Sequence, residues 1–103
     1  MNKMIESLGT TLSQMIGKEA IACRGLLRLA IIDSAEHLRQ TSDYSQTMAH
    51  IKMMGYQDWK DIVEGPALVQ RLKGVGIQDP APVVTQLRQT LIEHQSLFTM
   101  SAH

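Results

Sequence analysis

The stretch from Lys18 to Gln40 reads KEAIACRGLLRLAIIDSAEHLRQ and indicates the fold class. At about 100° of rotation per residue, a helix over this stretch has one side that is apolar or small throughout. A side of this kind packs against the interior of a protein, so the stretch predicts a long helix at the centre of a helical bundle. This first stripe consists of Ala20, Cys23, Leu27, Ala30, Ile31, Ser34 and Leu38.

The opposite side of the same helix carries a second stripe of apolar and small residues. A surface helix is normally polar there, but between Ala20 and Glu36 only Arg24, Arg28, Asp33 and Glu36 interrupt the apolar and small residues. Mid-helix glycine costs about 1 kcal/mol relative to alanine, and Gly25 would allow another helix to approach closely. We predict that a second copy of the chain covers this stripe, with enclosure inside its own bundle as the alternative. The second stripe consists of Ile21, Ala22, Gly25, Leu29 and Ile32.

The length and charge of the chain favour self-association. With 103 residues the chain is expected to form one domain, residues 1–103. Small domains bury a smaller share of their surface, so one copy has little material to enclose a central helix. The formal net charge is zero, with 10 basic and 10 acidic residues, which gives no field for nucleic acid and little repulsion between copies. We expect a homo-oligomer, most simply a dimer, and no nucleic-acid partner.

The N-terminal sequence MNKMIESLGTTLSQMIG has no long apolar core of a signal peptide, and Glu6 without arginine is untypical of a transit peptide. No stretch reaches the roughly 18 apolar residues of a membrane span. We therefore expect a cytoplasmic protein without a membrane partner. Seven methionines against four aromatic residues describe an adaptable aliphatic interior, and no cofactor is expected. Cys23, the single cysteine, lies on the first stripe and is interpreted as a packing residue.

The remaining sequence also predicts helices, and no segment alternates with the period of a strand over a useful length. Glycine, proline and capping residues place the boundaries. We expect an all-α fold, a small irregular bundle of about four longer helices plus one or two short ones. Besides the central helix, the expected helices run from Met4 to Gly17, from Ser42 or Asp43 to about Met54, from Tyr56 to Glu64, from Pro66 to Gly74 or Gly76, and from Asp79 to Phe98.

Three histidines suggest the first alternative function, which is metal binding or phosphotransfer. His37 and His94 each follow a glutamate near a predicted helix end, which suggests a metal site formed by the two. His50, followed by Lys52 and Gly55, resembles the phosphorylated segment of histidine phosphotransfer domains. In that family the lysine and glycine come three and four residues after the histidine, whereas here they come two and five residues after it. Packing roles are the competing interpretation for each histidine, and no metal ligand is assigned.

A second alternative is nucleic-acid contact through the turn from Gly74 to Gly76. The sequence from Leu72 to Ile77 resembles the hairpin of helix-hairpin-helix modules, in which backbone amides bind a phosphate. Asp79 would repel phosphate and Pro80 has no amide to donate. A simple helix end is therefore the favoured interpretation of this turn.

A second candidate partner surface follows the third helix. Methionines beside aromatic residues are typical of surfaces that repack around a partner, although the same residues could fill a gap between helices. No nucleophile, base and oxyanion donors come together, so catalysis is not expected. We predict a small cytoplasmic protein that acts by protein binding, as a homodimeric adaptor, regulator or chaperone-like module. The second partner surface consists of Met53, Met54, Tyr56 and Trp59.

Overall fold

A computed structural model describes residues 2–99, which form eight helices and no strand. The predicted all-α class is confirmed, as is a small irregular bundle. Within residues 2–99 no helix is both long enough and apolar enough to cross a membrane. The helices are α1 (Lys3–Ile16), α2 (Ala20–Ser34), α3 (Glu36–Arg39), α4 (Tyr44–Met53), α5 (Tyr56–Glu64), α6 (Pro66–Gly74), α7 (Ala81–Glu93) and α8 (Ser96–Thr99).

Helix α2 is the centre of the bundle, as its first stripe predicts. It packs against α1, α3, α5 and α6, and α7 packs against α1 and α5. Cys23, Leu27 and Ile31 of the first stripe are buried. The large side chains that are fully buried are Met4, Leu8, Leu12, Leu27, Ile31, Leu38, Ile51, Trp59, Leu68, Leu72, Leu87 and Leu91.

One side of α2 lies at the surface of the bundle. Ile21, Ala22 and Leu29 on that side are exposed, whereas Cys23, Leu27 and Ile31 on the other side are buried. Residues 2–99 therefore leave part of α2 uncovered.

Close contact between α1 and α2 depends on Gly9. A Cβ atom at this buried position would lie 2.6 Å from Cγ of Arg24, which is closer than such atoms approach in proteins. The missing side chain therefore leaves the space in which the aliphatic part of Arg24 lies on α1. Glycine within a helix costs about 1 kcal/mol, and this packing offsets that cost.

Side-chain caps begin α1 and α4 and also join them. The Asn2 side-chain oxygen accepts hydrogen bonds from the amides of Met4 (2.9 Å) and Ile5 (3.2 Å). The Asn2 side-chain nitrogen donates to the carbonyl of Ile51 near the end of α4, at 3.4 Å. Asp43 caps α4 by accepting from the amide of Ser45 at 2.9 Å, as the sequence predicts.

The central helix is shorter than its sequence suggests, because it breaks at Ala35 (φ −126°, ψ 111°). The Ser34 hydroxyl donates to the carbonyl of Ala30 at 2.8 Å, a bond of the kind that disturbs helices. The Arg39 guanidinium donates to the carbonyl of Asp33 at 2.6 Å and so replaces a helical hydrogen bond. The chain resumes as α3, whose Leu38 is still buried.

The last predicted helix is also divided. Helix α7 ends at Glu93, and α8 begins at Ser96. Nδ1 of His94 lies 2.8 Å from the carbonyl of Thr90, and the His94 amide donates to the same carbonyl at 3.1 Å. These contacts give the Thr90 carbonyl its hydrogen-bond partners at the end of α7, where the helix has no further turn to supply them.

Truncation of Leu27 tests the central position of α2. Leu27 is completely buried, so Leu27→Ala should lower the free energy of unfolding by about 2–5 kcal/mol. Ile92→Ala is the matched control, because Ile92 is 49% exposed on α7, and it should cost about 0.5 kcal/mol or less. Urea denaturation followed by circular dichroism measures both values. Equal losses in the two variants would contradict the central role of α2.

Candidate functional site

The second stripe lies on the uncovered side of α2. Ile21 is 68% exposed and Leu29 is 39% exposed, and Ala22 beside them is also exposed. Ile32 differs from the others, because it is half-buried and packs against the core. Gly25 is half-buried as well. The structure therefore leaves three of the five residues exposed, and the role of the stripe as an interface stays a prediction.

Gly25 lies at the middle of this exposed stripe. An added Cβ atom at Gly25 would come within 4 Å of one side-chain atom, Nη2 of Arg28 at 3.7 Å, which is an ordinary contact distance. Since the described part of the chain places nothing else there, the backbone of α2 is open to a neighbour at this position. A second helix can approach α2 more closely at Gly25 than at a residue with a side chain.

One flank of the second stripe continues into a groove between α2 and α6. The groove has a volume of about 420 Å³ and is lined by apolar side chains, including Leu26, Leu29 and Val75. Val75 is itself exposed. The apolar surface of α2 thus extends onto the end of α6.

A paired aspartate and arginine join α2 to α6 at this groove. Nε of Arg71 donates to Oδ2 of Asp33 at 2.7 Å, and Nη2 donates to Oδ1 at 2.9 Å. These hydrogen bonds from Arg71 hold the pKa of the Asp33 carboxyl below its ordinary value of 3.8. Because both side chains are partly exposed, solvent screens the pair and keeps its contribution to stability small.

The other flank is a groove between α2 and α4 that contains two arginines. It has a volume of about 340 Å³ and is lined by Ile5, Ile21, Arg24, Arg28, Tyr44 and Met48. The Arg28 guanidinium lies 5.3 Å from the centre of the Tyr44 ring, a cation–π distance. Within residues 2–99 neither arginine forms a salt bridge with a carboxylate. This flank is therefore an apolar surface that also carries two positive charges, neither of which has a carboxylate partner within residues 2–99.

The second predicted partner surface is only partly accessible. Trp59 is completely buried, and Met54 is buried as well, so the structure places neither side chain at the surface. The spacing of Trp59, Ile62 and Val63 places all three on the buried side of α5, and this signal was present in the sequence. Tyr56 is half-buried and packs edge-on against Phe98, with ring centres 5.9 Å apart.

Met53 is the accessible member of that group. Its exposed fraction is 83%, and it lies at the edge of a groove of about 530 Å³. Leu97 and Phe98 line the same groove from the end of the described chain. Met53 is therefore a surface residue. Trp59 and Met54 instead fill a gap between helices, which was the competing interpretation of this part of the sequence.

The structure brings together two histidines that the sequence did not pair. The ring centres of His37 in α3 and His50 in α4 are 5.1 Å apart, and the planes are inclined at 56°. His94, the expected neighbour of His37, instead contacts the carbonyl of Thr90. The pairing was not apparent in the sequence because it depends on the break at Ala35 and the turn that follows. His103 lies outside the described residues.

The turn from Gly74 to Gly76 does not present free amides to a phosphate. The amide of Gly76 donates to the carbonyl of Lys73 at 3.0 Å, and the amide of Ile77 donates to that of Leu72, also at 3.0 Å. This is the Schellman pattern of a helix end, with Gly76 at φ 93°. The amides that the nucleic-acid alternative requires are already bonded within the protein.

Comparison of the chain with protein-family models, with curated proteins and with solved structures gives no match. Two local arrangements of the molecule are candidates for a functional role. One is the exposed second stripe around Gly25, and the other is the contact between His37 and His50.

Replacement of Asp33 tests the pairing of α2 with α6. Because the pKa of Asp33 is lowered in the folded state, the pair stabilises the protein fully above pH 3.8. As the pH falls below that value the unfolded state takes up the proton first, and the contribution disappears through the lower folded-state pKa. Asp33→Asn should therefore cost about 1 kcal/mol or less at pH 7 and progressively less below pH 3.8.

Urea denaturation of the wild-type protein and Asp33→Asn at several pH values between 7 and 2.5 measures this difference. Glu93→Gln, at an exposed position on α7, is the control and should show no comparable loss at pH 7. A difference between wild type and Asp33→Asn that stays constant down to pH 2.5 would contradict the assigned pairing.

Proposed function

We propose that the protein is a homodimeric protein-binding module, acting as an adaptor, regulator or chaperone-like partner, and that its two copies associate through the second stripe of α2. The observation that carries this proposal is the exposed run of Ile21, Ala22 and Leu29 around an open glycine. Large apolar side chains grouped on one face of a protein mark an interaction site more often than scattered ones do.

A two-fold axis through Gly25 gives the stripe a self-complementary arrangement. In a symmetric dimer the same patch is used by both copies. If two α2 helices cross in antiparallel orientation at Gly25, Ile21 of one copy lies opposite Leu29 of the other, about 6 Å from the axis. Arg28 then faces Ala22, whose small side chain leaves room for the guanidinium that lies over Tyr44.

The surroundings of the stripe are compatible with this pairing. A typical stable interface buries about 800 Å² on each partner, which is more than one helix stripe supplies. The groove with Val75 continues the apolar surface on one side and can contribute the remainder. With zero formal net charge, two copies approach without overall electrostatic repulsion.

A cytoplasmic location belongs to the same proposal. Cys23 is the single cysteine of the chain, and it is buried with an unmodified thiol. Burial raises the pKa of this thiol, which makes it a poor nucleophile and a poor target for oxidation. A protein without disulfides is compatible with a reducing compartment.

The proposed dimer is tested by two substitutions of Gly25. Gly25→Leu should abolish association and leave the fold intact, because its side chain occupies the crossing point but points into open space in one copy. Gly25→Ala should fold and gain up to about 1 kcal/mol of stability in the monomer from helix propensity. Light scattering on a sizing column, over a hundredfold range of concentration, measures the mass of each protein.

The wild-type protein should have twice the 11.5 kDa mass of one chain, and Gly25→Leu should have the mass of one chain. Gln89→Leu, which adds an exposed leucine on α7, is the control and should remain dimeric. Circular dichroism verifies that each variant is folded. A wild-type monomer throughout the range, or a folded Gly25→Leu dimer, would overturn the proposal.

A further inference from the structure

The contact between His37 and His50 is built from two separately anchored helices. Leu38, the residue after His37, is buried, and Ile51, the residue after His50, is completely buried. Each backbone is thus fixed to the core beside its histidine. His37 is exposed and His50 is half-buried, so the pair lies at the surface and is accessible from solvent. Because the two backbone segments are already positioned, a ligand that binds both rings has to order only the two side chains.

The separation of the two rings fits a shared metal ion. Zinc binds imidazole nitrogen at about 2.0–2.1 Å and is usually tetrahedral. Adding the distance from nitrogen to ring centre, two imidazoles on one tetrahedral ion have ring centres about 5.2 Å apart. The observed distance is 5.1 Å. No movement of either helix is needed to reach that separation.

The inclination of the rings is also compatible with a shared ion. The lone pair of an imidazole nitrogen lies in the ring plane, so an ion bound by both rings must lie in both planes. Stacked parallel rings have no such common point. The planes of His37 and His50 are inclined at 56°, so the rings are not stacked in parallel and their planes share a line.

We propose that His37 and His50 form a two-imidazole site for a divalent transition-metal ion of the class of Zn²⁺, Ni²⁺ and Cu²⁺. Imidazole is a preferred ligand for these ions. Within the part of the chain that the structure describes, no group of three histidine, cysteine, aspartate or glutamate residues is arranged to hold a metal. Water therefore completes the coordination, and the ion exchanges more readily than one in a four-ligand structural site.

Two acidic side chains add favourable charge near the site. Asp58 and Asp61 line a groove of about 190 Å³ together with His50. Oδ2 of Asp58 accepts from the amide of Gly55 at 2.8 Å, and Oδ1 of Asp61 accepts from the side chain of Gln57 at 2.9 Å. Their negative charge favours a cation near His50 without making either residue a ligand.

A bound ion would join α3 to α4. Asn2 and the buried Thr47 and Ile51 connect α4 to the rest of the bundle, and the ion would add a link between two short helices. This site uses none of the residues of the second stripe. Metal binding and dimerisation therefore succeed or fail independently.

Isothermal titration of the untagged full-length protein with ZnCl₂, and separately with NiCl₂, tests the site. The wild-type protein should bind one ion per chain. His37→Ala and His50→Ala should each weaken binding at least tenfold, since removal of either imidazole leaves a single ligand. His94→Ala is the matched control, because His94 also lies at a helix end but contacts Thr90, and it should bind as the wild-type protein does.

Proton NMR of the wild-type histidine rings gives a second measurement that needs no variant. Addition of Zn²⁺ should shift the ring signals of His37 and His50 and leave those of His94 in place. The proposal is overturned if the wild-type protein shows no saturable binding up to millimolar metal. It is equally overturned if folded His37→Ala and His50→Ala bind unchanged, or if His94→Ala loses affinity to the same extent.

Discussion

The structure depends on an imbalance between the apolar surface of α2 and the material available to cover it. The first stripe of α2 is satisfied by α1, α5 and α6, which pack on one side. On the other side of α2, Ile21, Ala22 and Leu29 stay exposed at the surface. The buried core and the candidate interface thus lie on opposite sides of the same helix.

The two flanks of the exposed side differ in chemistry, and this difference restricts what can pack there. Toward α6 the surface is apolar around Leu29 and Val75, and the arginine at its edge is neutralised by Asp33. Toward α4 the charges of Arg24 and Arg28 have no carboxylate partner among residues 2–99. In the proposed antiparallel dimer each flank meets the same flank of the other copy, so the arginines of both copies lie at one edge and require screening by solvent or counter-ions.

Local sequence patterns predicted most of the helices, and long-range contacts account for what they missed. The period of the first stripe, the Pro66 position and the Asp43 cap were readable because each acts within a few residues. The break at Ala35 was not readable from the local sequence, because it accompanies hydrogen bonds that Arg39 and Arg71 donate to Asp33. The same break brings His37 to His50, so the histidine pair was hidden for the same reason. The burial of Trp59 was readable from the spacing of Trp59, Ile62 and Val63 along α5.

The enclosure of Trp59 has a spectroscopic consequence. It is the single tryptophan of the chain, it is completely buried, and its indole nitrogen has no hydrogen-bond partner within residues 2–99. A fluorophore in dry surroundings without such a bond emits at short wavelength, and its emission moves to longer wavelength when water reaches it. The intrinsic fluorescence of the protein thus reports whether the core around Trp59 is intact.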